Sequence, residues 1–227
     1  MSEPSYEPLD RRPIKARSTR WAATAADALV RAGVSPNAIS MAGLFAAVAG
    51  GVALAFTGAV ETGGAERLLW LLGIALVQSR LLCNMLDGMV AVASERASPI
   101  GELYNEVPDR VADVGVLVGL GYAAGGNATL GYVAACMALF VAYVRAMAKA
   151  AGAPNDFRGP MAKPHRMFVV TAIGIYMVVA PGAWQIAWGP GSAWGIAAAG
   201  LLIIIAGGAV TAMRRLQSAA RSLLTNM

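Results

Sequence analysis

The sequence predicts an all-α integral membrane bundle of about six transmembrane helices, preceded by an amphipathic helix at the membrane interface. Three observations carry this. Hydrophobic residues make up 57% of the chain and charged residues 14%, against roughly 45–50% and about 25% in soluble domains. The apolar residues fall in continuous runs close to the roughly 17–25 residues that cross a hydrocarbon core as a helix. The basic residues are concentrated in alternate connections between those runs.

Residues 1–34 form a polar, Arg-rich segment with no short apolar core of the signal-peptide kind, so it is expected to stay on the mature chain. Within it, 18–32 place Trp21, Ala25, Leu29 and Ala32 on one helical stripe, with Arg20, Asp27 and Arg31 elsewhere, which predicts an interfacial helix. Gly33 is a stop signal, and Ser35-Pro36-Asn37 a restart. Six spans follow, at 38–56, 68–92, from Asp109 to about 124, 130–148, 167–188 and 194–213. Residues 35–214 are thus read as one membrane domain and 215–227 as a tail. Their runs lack the alternation of barrel strands, and only helices or closed barrels satisfy the backbone in lipid.

Lys and Arg of short loops are retained on the cytoplasmic side. The N-terminal segment, the connections after the second and fourth spans and the tail hold nearly all of them, whereas the stretches AGGNAT and PGAWQIAWGPGS hold none. Both termini are therefore expected in the cytoplasm, with the protein in an inner or plasma membrane. The net charge of +5 is spread over four segments, which suits anionic lipid headgroups and not nucleic acid. Cys83 and Cys136 fall within predicted spans and read as reduced thiols. His165 is the only histidine, so no histidine metal cluster is expected. There is no P-loop and no dinucleotide fingerprint.

The segment with chemistry in it is NMLDGMVAVASERASPIGELYNEVPD, residues 84–109. Asn84 and Asp87 are three apart and Asn105 and Asp109 four apart, so each pair shares a helical face at the end of an apolar run. Four side-chain oxygens then converge, as hard cations require. Arg80 lies on the same face as Asn84 and Asp87, and an arginine inside a span needs a partner or a ligand. It is read either as a phosphate ligand or as an ion pair with Asp87 or Asp113.

The spacing resembles the signature of the CDP-alcohol phosphotransferase family, Asp-x2-Asp-Gly-x2-Ala-Arg-x8-Gly-x3-Asp-x3-Asp. Asp87, Gly88, Ala91, Gly101 and Asp109 match it, while Asn84, Val92 and Asn105 stand at its Asp, Arg and Asp positions. The resemblance implies that Asn84, Asp87, Asn105 and Asp109 hold Mg2+ or Mn2+, that Asp109 is also the catalytic base, and that Gly88, Ala91 and Gly101 border the nucleotide. It implies a transferase of phospholipid biosynthesis acting on a CDP-activated lipid and an alcohol acceptor, with CMP released at the cytoplasmic face, and a homodimer. Two asparagines lower the formal ligand charge from minus four to minus two. Glu102, Glu106 and Asp113 are nearby acids that can compensate, and Glu106, beside Asn105, comes first.

Arg145, Lys163 and Arg166 belong to a second basic cluster, YVRAMAKAAGAPNDFRGPMAKPHRM, and with Arg80 are candidates for substrate phosphate. They favour a phosphate-bearing polyol over a neutral amino alcohol. The competing readings are a lapsed family member that binds nucleotide or lipid without turnover, and a small transporter, for which deep polar residues in several spans and an inverted repeat are missing.

Overall fold

The computed structural model describes residue 17, residues 19–94 and residues 99–225, with the side chains of 99–105 and of residue 192 outside the description. Seven α-helices follow in order: α1 Arg20–Arg31, α2 Pro36–Phe56, α3 Gly64–Ala93, α4 Pro99–Tyr122, α5 Ala128–Ala150, α6 Lys163–Val179 and α7 Ile196–Thr225. No strand occurs among the described residues.

Helix starts follow local chemistry. The Ser35 hydroxyl accepts from the Ala38 amide at 3.2 Å with Pro36 in the first turn, and Asn127 caps α5 by accepting from the Leu130 amide at 2.9 Å. Gly33, at φ +71°, turns the chain between α1 and α2 in a conformation that side chains with a Cβ rarely adopt. The α1 face buried against the bundle carries Ala22 and Ala26, with Leu29 partly buried, while Trp21 is 52% exposed. Ala22 and Ala26 thus face the bundle one position on from the stripe that Trp21 and Ala25 begin.

Helix α2 packs against both α3 and α4, α3 against α6, and α5 against α4 and α7. A Cβ on Gly51 would strike the Gly115 carbonyl, and one on Gly119 would strike the Gly51 backbone, so glycines permit the close α2–α4 approach. Leu54, Trp70, Val77, Leu117, Leu120, Val170, Leu201 and Ile204 fill the core. Large apolar side chains also cover the outside, among them Phe45, Phe56, Leu68, Phe140, Phe168 and Ile203. In water such a surface would be costly; facing lipid it is not.

Among the described residues four helices, α2, α3, α5 and α7, are long and apolar enough to cross a membrane. The fifth expected span is corrected: α6 stops at Val179, and 180–195 forms a connection with single 3-10 turns at Gly182–Trp184 and Pro190–Ser192. Pro181 is the reason, because it disfavours helical backbone at Ala180, which adopts ψ 132°. The Trp and Ile residues of 180–195 resemble a span in composition alone. Helix α7 continues past 213 without a break to Thr225.

Candidate active site

Short connections make successive helices of the bundle antiparallel, so the C-terminal end of α3 and the N-terminal parts of α4 and α6 gather at one end. That topology assembles the motif. From α3 come Arg80, Asn84 and Asp87, from α4 Asp109 and Asp113, and from α6 Lys163 and Arg166.

Asp87 is 3% exposed, and its Oδ2 accepts a hydrogen bond from the Ser40 hydroxyl of α2 at 2.6 Å. Its Oδ1 lies 2.5 Å from the Gly88 amide. Asn84, one helical turn earlier, has a buried Oδ1 with no hydrogen-bond partner. Asp109 is buried as well, in an ion pair with Arg80 and a second with Lys163, whose Nζ lies 2.6 Å from Oδ1. Arg80 therefore pairs with Asp109, and not with Asp87 or Asp113, the partners the sequence suggested.

Asp113, one turn beyond Asp109, is 2% exposed and pairs with the buried Arg166 at 2.5 Å. Arg166 also donates to the Met161 carbonyl at 2.9 Å, which ties the α5–α6 connection to the site. At the rim, Glu106 accepts from Arg110 and from Arg145 at 2.5 Å each. Arg145 also lies over the Phe157 ring, 5.1 Å from its centroid. Partial burial pushes the Glu106 carboxyl up, but the guanidiniums of Arg110 and Arg145 outweigh it and hold the group below the usual carboxylate range. Glu106 is thus engaged by two arginines at the surface instead of facing the Asp87 carboxylate.

A Cβ on Gly88 would meet the Arg17 guanidinium at 3.3 Å, so Arg17 from the segment before α1 reaches this surface. Ala91 is half-buried, and Val92 is 49% exposed. Gly101 and Asn105 lie on the first turns of α4, but the side chains of Asn105 and Glu102 are outside the described residues. His165 is exposed. Ser40 was not singled out in the sequence, because a lone serine at the start of an apolar run carries no periodic signal.

Among the described residues no group of three His, Cys, Asp or Glu side chains forms a metal cluster. The oxygens present still fit a hard cation: an orphaned amide oxygen on Asn84 and a buried Asp87 carboxylate share a helical face, and a divalent ion would satisfy both. Arg80, Lys163, Arg110, Arg145 and Arg166 gather around these acids, each in an ion pair with Asp109, Glu106 or Asp113.

The chain is 32% identical over 186 residues to the phosphatidylinositol phosphate synthase of Mycobacteroides abscessus, an alignment covering 79% of this chain and 78% of that one. It is 34% identical over 160 residues to a bifunctional IPC transferase and DIPP synthase of Rubrobacter xylanophilus, covering 69% of this chain and 34% of the longer protein. In backbone it resembles the crystal structure of Mycobacterium tuberculosis phosphatidylinositol phosphate synthase in complex with manganese and citrate, with TM-score 0.69 and 22% identity over 88% of this chain and 90% of that one. The same protein with CDP-DAG bound also gives TM-score 0.69, at 22% identity over 88% of this chain and 94% of that one. No family model matches the chain.

Proposed function

The chain belongs to the CDP-alcohol phosphotransferase family, and on that premise we propose that it is a membrane transferase of phospholipid biosynthesis. It moves a phosphatidyl-type group from a CDP-activated lipid such as CDP-diacylglycerol to an alcohol and releases CMP. The observation that carries this reading is the ion pair by which Arg80, on the α3 face that bears Asn84 and Asp87, meets Asp109 of α4 at one end of an apolar bundle. The relative's name, phosphatidylinositol phosphate synthase, and the basic side chains of Arg145 and Lys163 support a phosphate-bearing polyol such as inositol phosphate as the acceptor.

The acceptor hydroxyl oxygen attacks the lipid-bearing phosphorus, the bond from that phosphorus to the bridging oxygen breaks, and CMP departs with the bond's electron pair. Asp109 takes the hydroxyl proton on its carboxylate. Arg80, buried against Asp109, holds that carboxylate in place. Arg166, fixed by Asp113 and the Met161 carbonyl, positions Lys163 beside the acceptor phosphate. Asn84, Asp87, Asn105 and Asp109 would hold Mg2+ or Mn2+, which neutralises pyrophosphate charge when bound. Gly88, Ala91 and Gly101 leave backbone room for the cytidine nucleotide, and Arg17 beside Gly88 faces its phosphates.

In this reading α2 to α7 all cross the bilayer, α1 lies at the interface, and both termini and the site are cytoplasmic. The membrane domain spans 35–214, and the protein forms homodimers. A second reading, binding without turnover, is favoured by Asn84, Val92 and Asn105 and by the two cations already on Asp109. The deciding experiment measures CMP release by the purified protein in nanodiscs with CDP-diacylglycerol, inositol phosphate, glycerol phosphate or inositol, and Mg2+ or Mn2+. Release that needs the ion and disappears in Asp87→Ala establishes catalysis. Silence across all acceptors and ions refutes it.

A further inference from the structure

At the end of the bundle opposite the motif, the connections α2–α3, α4–α5 and α6–α7 enclose a cleft of about 420 Å³. Its walls are tied together: the Gly195 and Ala198 amides donate to the Gly125 carbonyl at 2.8 and 3.0 Å. Glu66, in the first turn of α3, lines this cleft and is only 3% exposed. On the same helix it stands about 30 Å from Asp87, at 1.5 Å per residue. The cleft is therefore separate from the phosphoryl-transfer site.

The Glu66 carboxylate is poorly satisfied. Among the described residues its one hydrogen bond comes from the Trp70 indole N–H at 3.4 Å, beyond the usual range for N–H to oxygen. Among the described residues it forms no ion pair, whereas the buried Asp109 and Asp113 both do. The adjacent Arg67 donates instead to the Ala180 carbonyl at 3.2 Å. A carboxylate accepts up to about four hydrogen bonds, and a buried one calls for a counter-charge.

The rest of the wall indicates what kind of cation completes it. Trp194 lines the cleft, held edge-on against Trp188 with ring centroids 5.1 Å apart, and Gln185 adds a side-chain amide. Among the described residues Glu66 is the only carboxylate in the lining. A divalent metal needs several oxygen ligands, but one carboxylate in a cleft that an indole also lines suits an organic ammonium, which couples charge, N–H donors and attraction to an aromatic face. We propose that this cleft binds a primary alkylammonium group, held by Glu66 and Trp194. The group belongs to an aminophospholipid headgroup or to a small free amine.

The test uses the full chain in phosphatidylglycerol nanodiscs, with phosphatidylethanolamine or free ethanolamine as probe and ethylene glycol as the uncharged control. Binding is read by native mass spectrometry and by thermal shift. Wild type should bind at least one amine probe about tenfold more tightly than Glu66→Gln, and ethanolamine should be preferred to ethylene glycol unless only the lipid binds. Retention of phosphatidylethanolamine alone assigns the site to lipid, and a response to ethanolamine assigns it to a soluble amine. Equal binding by wild type and Glu66→Gln, or no amine binding by wild type, overturns the proposal. Should Glu66→Gln fail to give a monodisperse protein, Trp194→Leu replaces it, with the same tenfold loss expected and the same equality overturning the idea.

Discussion

Ser40→Ala isolates a contact that supports the proposed cation site without belonging to it. The Ser40 hydroxyl donates to Asp87 Oδ2 at 2.6 Å, and both residues are nearly inaccessible, at 4% and 3%. Hydrogen bonds to charged groups contribute about 1.5–3 kcal/mol. Removing this one leaves a buried carboxylate oxygen short of a donor and lets the Asp87 side chain reorient. Outer partners of metal ligands change affinity by roughly 10–100-fold when lost, equivalent to about 1.4–2.7 kcal/mol, so the two estimates agree. The expected result is a Mn2+ dissociation constant raised about 10–100-fold, measured by electron paramagnetic resonance of the free ion in nanodiscs, with turnover largely restored at saturating Mn2+. Alanine removes only one oxygen, so packing around α2 should persist. A Mn2+ affinity equal to wild type would refute the reasoning, because it would mean that Asp87 does not hold the ion or that Ser40 does not orient it.

Asp109→Asn should lower CMP release by at least about 100-fold while CDP-diacylglycerol binding, followed by equilibrium dialysis, stays within a few-fold, since shape is kept and the proton acceptor is lost. Asn84→Asp with Asn105→Asp should tighten Mn2+ binding by restoring ligand charge, and unchanged titration curves would show that these positions do not face the ion. Arg166→Met leaves the buried Asp113 with only the 4.0 Å contact to Arg110 and should destabilise the protein by about 3 kcal/mol, whereas Arg166→Met with Asp113→Leu should recover most of it; thermal unfolding in nanodiscs distinguishes the two. For orientation, a thiol probe at Lys149→Cys, with Cys83 and Cys136 replaced, should react from the cytoplasmic side and one at Ala183→Cys from the other. The reverse pattern would invert the topology.

The sequence alone was enough to read the helical class and the order of the long helices. These are local properties. A continuous apolar run leaves its backbone no partner in lipid except itself, and a spacing of three or four puts Asn84 with Asp87 and Asn105 with Asp109 whatever the neighbours are. The partners of those side chains were settled only by the tertiary structure. Ser40 meets Asp87 across 47 residues, and Arg166 meets Asp113 across 53. A helix apolar on all sides gives little indication of its rotation about its own axis, so the choice of Asp109 as the partner of Arg80 depended on how α3 and α4 pack. The end of α6 at Val179 was likewise hidden, because the Trp and Ile residues beyond Pro181 are as apolar as a span. Composition records that a segment avoids water; whether it does so along a helix or folded across the end of a bundle depends on the contacts it finds there.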